Sequence, residues 1–152
     1  MTEQTLGYFI NSLKLFFAEI TEEEPEMGVP FVEQDRGKVL KDYTSSISIT
    51  GDCSGAVYVS MQKDMLTEIA KIMLEEQEVE EDTLGDVVGE LANTIAGHGC
   101  QQLVEDYSLS VPMVITGKNH VIKLHRLNSP IYVIPFEWHS FTSYLFVGLD
   151  ID

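Results

Sequence analysis

The order of the sequence patterns predicts an α+β fold, a mainly antiparallel β-sheet with long helices packed on one face. Two observations carry this. Segments with apolar residues every three or four positions occur in blocks with β-branched segments, in the order α-ββ-α-α-ββββ, and not in the regular βαβ alternation of a wound parallel sheet. The β-rich segments are joined by short turns, such as Gly51-Asp52 and His139-Ser140, that suit antiparallel neighbours. With 152 residues, 44% of them apolar, the chain can form one domain that buries roughly 70% of its unfolded surface without disulfides or a structural metal. A single domain over residues 1–152 is expected, as neither an internal repeat nor a low-complexity linker divides the chain.

Each element has its own signal. Over residues 6–20, Phe9, Ile10, Leu13, Phe16, Phe17 and Ile20 recur at helical spacing, and Pro25 and Gly28 then break the pattern within an acidic turn. Residues 39–50 and 53–61 are β-branched and partly alternating, and the turn between them makes a hairpin. A second helix over 61–74 carries Leu66, Ile69, Ala70 and Met73, and ends in EEQEVEED, an acidic run with no apolar face. Residues 83 to about 106 read as a long third helix despite their glycines. Four β-rich stretches follow, VPMVIT, NHVIKLHRL, PIYVIPFEW and SFTSYLFVGL.

Charge narrows the function. There are 25 Asp plus Glu against 9 Lys plus Arg, a formal charge of −16, which disfavours nucleic acid and anionic lipid as partners. Cys53 and Cys100 belong to no C-x-x-C or zinc spacing, the N-terminal residues lack a basic leader, and no apolar run approaches the ~20 residues of a membrane span. A cytoplasmic protein with reduced thiols is expected.

The third helix holds the candidate site. At about 100° per residue, Leu84, Val87, Val88, Leu91 and Ile95 share one side, while Asp86, Glu90 and Asn93 align on nearly the opposite side, with Gly97 continuing the line and Gly89 beside it. A row of polar residues on a helix is ordinarily a solvated face, and Thr83-Leu84-Gly85-Asp86 fits a capping box, so helix capping is the favoured role of Asp86. Solvation does not account for the glycines, each costing up to about 1 kcal/mol against alanine in an exposed helix. Close packing on the sheet can explain Gly85, whereas Gly89 and Gly97 are expected to bring the backbone near a docked partner.

Other chemistries fit less well. Carboxylates at i and i+4 on one convex helix are about 6 Å apart at Cβ and make a poor glycosidase pair. His98, His120, His125 and His139 form no H-x-x-x-H or H-E-x-x-H pattern, so no metal site is expected. Cys100 has no recognisable histidine partner, and the G-x-S-x-G, Walker and dinucleotide fingerprints are absent.

The stretch DVVGELANTIAGHG resembles the CheC/CheX/FliY family of chemotaxis phosphatases, whose signature is an acidic or Ser residue followed by E-x-x-N on one exposed helical face. SSISITGDCSGAVYVSM before it, and VPMVITGKNHVIKL with YVIPF after it, extend the resemblance over roughly residues 39–150, nearest to CheX-like members. The resemblance implies a CheC-like domain and a phosphatase, hence a hydrolase, acting on the aspartyl phosphate of a CheY-like receiver in two-component signalling. Glu90 then matches the family glutamate that pairs with the receiver's lysine. Asn93 matches the asparagine that orients the attacking water, and Asp86 the accessory acidic position. It further implies no cofactor of the chain's own, Mg²⁺ supplied by the receiver, and a homodimer. The family's proline some two dozen residues past the asparagine has its candidate in Pro112, somewhat closer. FINSLKLFF on the first helix lacks the second E-x-x-N of some members, which implies one site per chain. A non-catalytic receiver-binding or flagellar-switch adaptor is the alternative reading.

Overall fold

The computed structural model describes residues 1–33, 40–117 and 129–151. Chain order is α1 (Glu3–Thr21), β1 (Glu26–Met27), β2 (Phe31–Val32), β3 (Tyr43–Gly51), β4 (Cys53–Met61), α2 (Lys63–Leu74), α3 (Glu81–Leu103), β5 (Tyr107–Leu109), β6 (Met113–Thr116), β7 (Tyr132–Trp138) and β8 (Phe141–Ile151). The eight strands form one sheet in the order β1-β7-β8-β4-β3-β5, with β2 also on β7 and β6 also on β3, every pair antiparallel. The α+β architecture with an antiparallel sheet is therefore the one expected. The stretch NHVIKLHRL lies outside the described residues, and β1, β2 and β5 are short strands that the sequence pattern does not signal.

Strand alternation sorts the side chains onto two faces. Ile47, Val57 and Val147 lie across from one another in register, and with Ile134, Phe136 and Leu145 they face the helices. There they meet Phe9, Leu13 and Phe17 of α1, Leu66 and Ile69 of α2, and Leu84, Val88, Leu91 and Ile95 of α3, all buried. Phe17 packs edge-on against Phe136 at 5.8 Å between centroids and tilts against Trp138 at 6.1 Å, so Trp138 is a core residue. The opposite face carries a smaller buried cluster of Leu40, Ala56, Tyr58, Ile131, Val133 and Phe146.

Local chemistry fixes the ends of the helices. Thr2 caps α1, its hydroxyl accepting from the Thr5 N–H at 3.1 Å. The first free N–H of α2, on Lys63, donates to the Asp42 carboxylate at 2.7 Å, so a neighbouring segment supplies this cap. The start of α3 corrects the sequence reading. Its N-cap is Glu80 and its first helical residue Glu81, so Thr83 and Asp86 lie inside the helix and Asp86 caps nothing. Glu81 and Asp82 take the favourable place near the positive end of the helix dipole. Glu81 also pairs with Lys63 at the head of α2, which holds its carboxyl below the usual carboxylate range and raises the lysine.

Candidate functional site

α3 lies across β3 and β4 with α1 on one flank. Its buried side contains Leu84, Val88, Leu91, Ala92, Ile95, Ala96 and Cys100, which leaves Asp86, Glu90 and Asn93 turned away from the core. Asp86 and Glu90 are exposed and Asn93 is half-buried. The three residues span about 10 Å along the helix at 1.5 Å per residue. The Thr94 hydroxyl sits 3.5 Å from Glu90 Oε1, one turn along, a weak contact that leaves the carboxylate open to solvent. The face therefore presents two carboxylates and a carboxamide to anything that docks on it. A carboxamide can donate and accept hydrogen bonds without adding charge, while a carboxylate offers an ion-pair acceptor.

Gly85 packs on the sheet as expected, and Gly89 and Gly97 also meet side chains of the chain itself. Gly89 is buried, and a Cβ there would stand 3.2 Å from Pro112 Cβ, tighter than ordinary contact. At Gly97 a Cβ would meet Leu109 Cδ1 at 3.7 Å, and at Gly85 it would meet Val114 Cγ1 at 3.7 Å. The chain's own β5–β6 segment thus comes close to the helix at these three glycines. Among the α3 glycines the most demanding is Gly99, where a Cβ would fall 2.3 Å from Cε1 of the fully buried Phe9. Here the missing side chain lets the α1 ring lie against the α3 backbone. Pro112 thereby reaches the turn of α3 that carries Glu90. This contact follows from the pairing of β6 with β3 (Ser45↔Val114, Ser46↔Met113), a long-range relation that sequence periodicity does not reveal.

The other residues considered lie elsewhere. Cys53 and Cys100 are buried thiols, not joined in a disulfide, and burial together with Cys53 pushes the Cys100 thiol up to about 12. His98 is exposed on α3. His139 stacks on Trp138 at 3.9 Å and hydrogen-bonds Glu23 at 3.1 Å. His120 and His125 are outside the described residues. Among the described residues, no three His, Cys, Asp or Glu side chains come together in a metal-holding group, and no helix is long and apolar enough to cross a membrane.

A family model described as the chemotaxis phosphatase CheX matches residues 43–137. The chain belongs to the CheX family. That match runs from the start of β3 into β7 and includes all of α3. No curated protein sequence matches the chain significantly. Among solved structures, a CheC-like superfamily protein from Shewanella sp. PV-4 is similar at a TM-score of 0.84 and 22% identity, over 99% of each chain. The chemotaxis protein CheX from Vibrio vulnificus has a TM-score of 0.83 and 22% identity, over 97% of this chain and 99% of that one. CheX in a complex with CheY, BeF3 and Mg²⁺ from Borrelia burgdorferi has a TM-score of 0.73 and 17% identity, over 95% and 97%. At these identities the likeness establishes the CheX fold. Family membership, which implies phosphatase activity in chemotaxis, comes from the family match.

Proposed function

We propose that the protein is a phosphatase for the aspartyl phosphate of a CheY-like receiver domain, working through the Glu90–Asn93 face of α3. The observation that carries this reading is that an exposed Glu90 and a half-buried Asn93 stand about one turn apart, turned away from the core, on the helix of a CheX-family domain. The Borrelia complex supports a CheY-type partner. In the proposed reaction the Asn93 carboxamide holds a water in line with the acyl phosphate. The water oxygen bonds to phosphorus as the bond to the aspartate oxygen breaks, releasing inorganic phosphate and the free carboxylate. Such a transition state is loose and needs positioning more than a strong base, so an amide suffices. Glu90 ion-pairs with a lysine beside the phosphorylated aspartate and sets the register, and Asp86 one turn before it adds to the attraction for a cation. The Mg²⁺ belongs to the receiver. The reading includes a cytoplasmic location, a homodimer, and action of the whole chain as one domain.

The test is steady-state phosphate release from receivers primed with acetyl phosphate in Mg²⁺. Asn93→Ala should lower kcat about a hundredfold with little change in KM, the loss typical of removing one positioned polar group. Glu90→Ala should chiefly raise KM. Full activity of Asn93→Ala would refute the water-positioning role. Tight receiver binding without any rate effect by the native protein would instead favour the adaptor reading.

A further inference from the structure

We propose that Thr94 is a positioning residue for Glu90, its hydroxyl holding one carboxylate oxygen so that the other is presented to the cation of the docking partner. The proposal rests on the phosphatase reading above. A threonine inside a helix commonly turns its hydroxyl back onto the carbonyl four residues earlier. Two others in this protein do so, Thr21 donating to the Phe17 carbonyl at 2.7 Å and Thr67 to the Lys63 carbonyl at 2.8 Å. Thr94 does not. Its hydroxyl is directed instead to the side chain of residue 90, 3.5 Å from Oε1, and among the described residues it makes no other hydrogen bond.

The surroundings give that contact a use. Cα–Cβ bonds on a helix lean toward its N-terminus, so the Thr94 side chain leans over the turn that carries Glu90. Asp86 lies one turn to the other side of Glu90, and both carboxylates are exposed. Like charges at i and i+4 repel, which together with the hydroxyl favours conformers of Glu90 on the side of Thr94 and of the adjacent Asn93. Thr94 is itself half-buried, and the hydroxyl of Ser12, a buried residue of α1, donates to its carbonyl oxygen at 3.4 Å. The donor thus stands on a turn of α3 that packs against a second helix. An exposed glutamate loses rotamer freedom when it forms an ion pair, and the loss costs affinity. A hydroxyl that already restricts the side chain lowers that cost, and it occupies one of about four acceptor positions on the carboxylate. The contact is long in the free protein, as such bonds often are before the partner binds, and it tightens when the second oxygen is engaged.

The test measures KM and kcat for phosphate release from CheY-type receivers primed with acetyl phosphate in Mg²⁺, using Thr94→Val, Thr94→Ser, Glu90→Ala and the double variant Thr94→Val/Glu90→Ala. Valine keeps the branched shape and removes only the hydroxyl, and serine keeps the hydroxyl. Thr94→Val should raise KM about threefold with kcat within about twofold of the native value, the size expected for one exposed hydrogen bond. Thr94→Ser should stay close to the native KM. In the Glu90→Ala background the rise should vanish, because a residue that acts through another then has nothing to position. An equal rise in both backgrounds would overturn the inference by giving Thr94 a contact of its own with the receiver. A rise that serine shares would also overturn it, assigning the effect to packing, and so would an unchanged KM in Thr94→Val. A fall in kcat at unchanged KM would overturn it as well, assigning the hydroxyl to Asn93. These outcomes leave the phosphatase reading standing, whereas failure of the native protein to accelerate decay of any receiver would overturn that reading and this inference together.

Discussion

Asn93 asks little of the fold. Half-buried on a helix whose core side lies elsewhere, it is a residue whose truncation should change stability by under about 0.5 kcal/mol, so a strong rate loss in Asn93→Ala can be assigned to chemistry. Glu90, fully turned to solvent, carries the same logic for binding. Cys100 is the opposite case, a residue whose role is packing. Its thiol is buried beside Cys53 and pushed up to about 12 from an ordinary 9.0, so in the folded protein it keeps its proton at neutral pH. The unfolded thiol ionises first as pH rises. Folding stability from this group is therefore intact below pH 9.0 and lost progressively as the pH approaches 12. The native protein should react negligibly with an aromatic disulfide reagent at pH 7.5 and titrate two thiols in denaturant. A fast-reacting thiol in the native state would contradict the burial.

At the scale of elements, α3 explains both what the sequence reveals and what it conceals. Side chains on a helix follow a fixed angular period, so the row Asp86, Glu90 and Asn93 can be placed from spacing alone. What lies beside that row depends on β6 pairing with β3 some 70 residues earlier in the chain, and no local pattern encodes it. The same reason hides β1, β2 and β5, each too short for alternation to show. The α3 start escapes the sequence pattern because Glu81 and Asp82 add no apolar signal, although the helix dipole favours them there. The glycines are legible as anomalies, and Gly85 as sheet packing, but the contacts of Gly89 with Pro112 and of Gly97 with Leu109 are not. Gly99 is an anomaly in the spacing like the others, and among the α3 glycines it is the most tightly enclosed. Gly99→Ala should destabilise the protein by about 1–3 kcal/mol through overpacking against Phe9, read as a lower urea midpoint at unchanged slope. A variant as stable as the native protein would mean that the α1–α3 contact is looser than its geometry.

At the scale of the molecule, the fold class was readable because block order and turn length limit topology, and family membership then adds what topology cannot, since one fold can carry many functions. The sheet has edge strands at β1–β2 and β5–β6, and an edge is where a second copy can extend it. The homodimer proposed above should give a molar mass near twice 17.1 kDa by light scattering. A concentration-independent monomer would refute it. The central claim concerns the exposed face of α3, and the most direct measurement is the decay of an already phosphorylated receiver in Mg²⁺ with no addition, with the native protein, and with Asn93→Ala at equal concentration. The account predicts fast decay with the native protein alone and near-spontaneous decay with the variant. Equal acceleration by both proteins would contradict it.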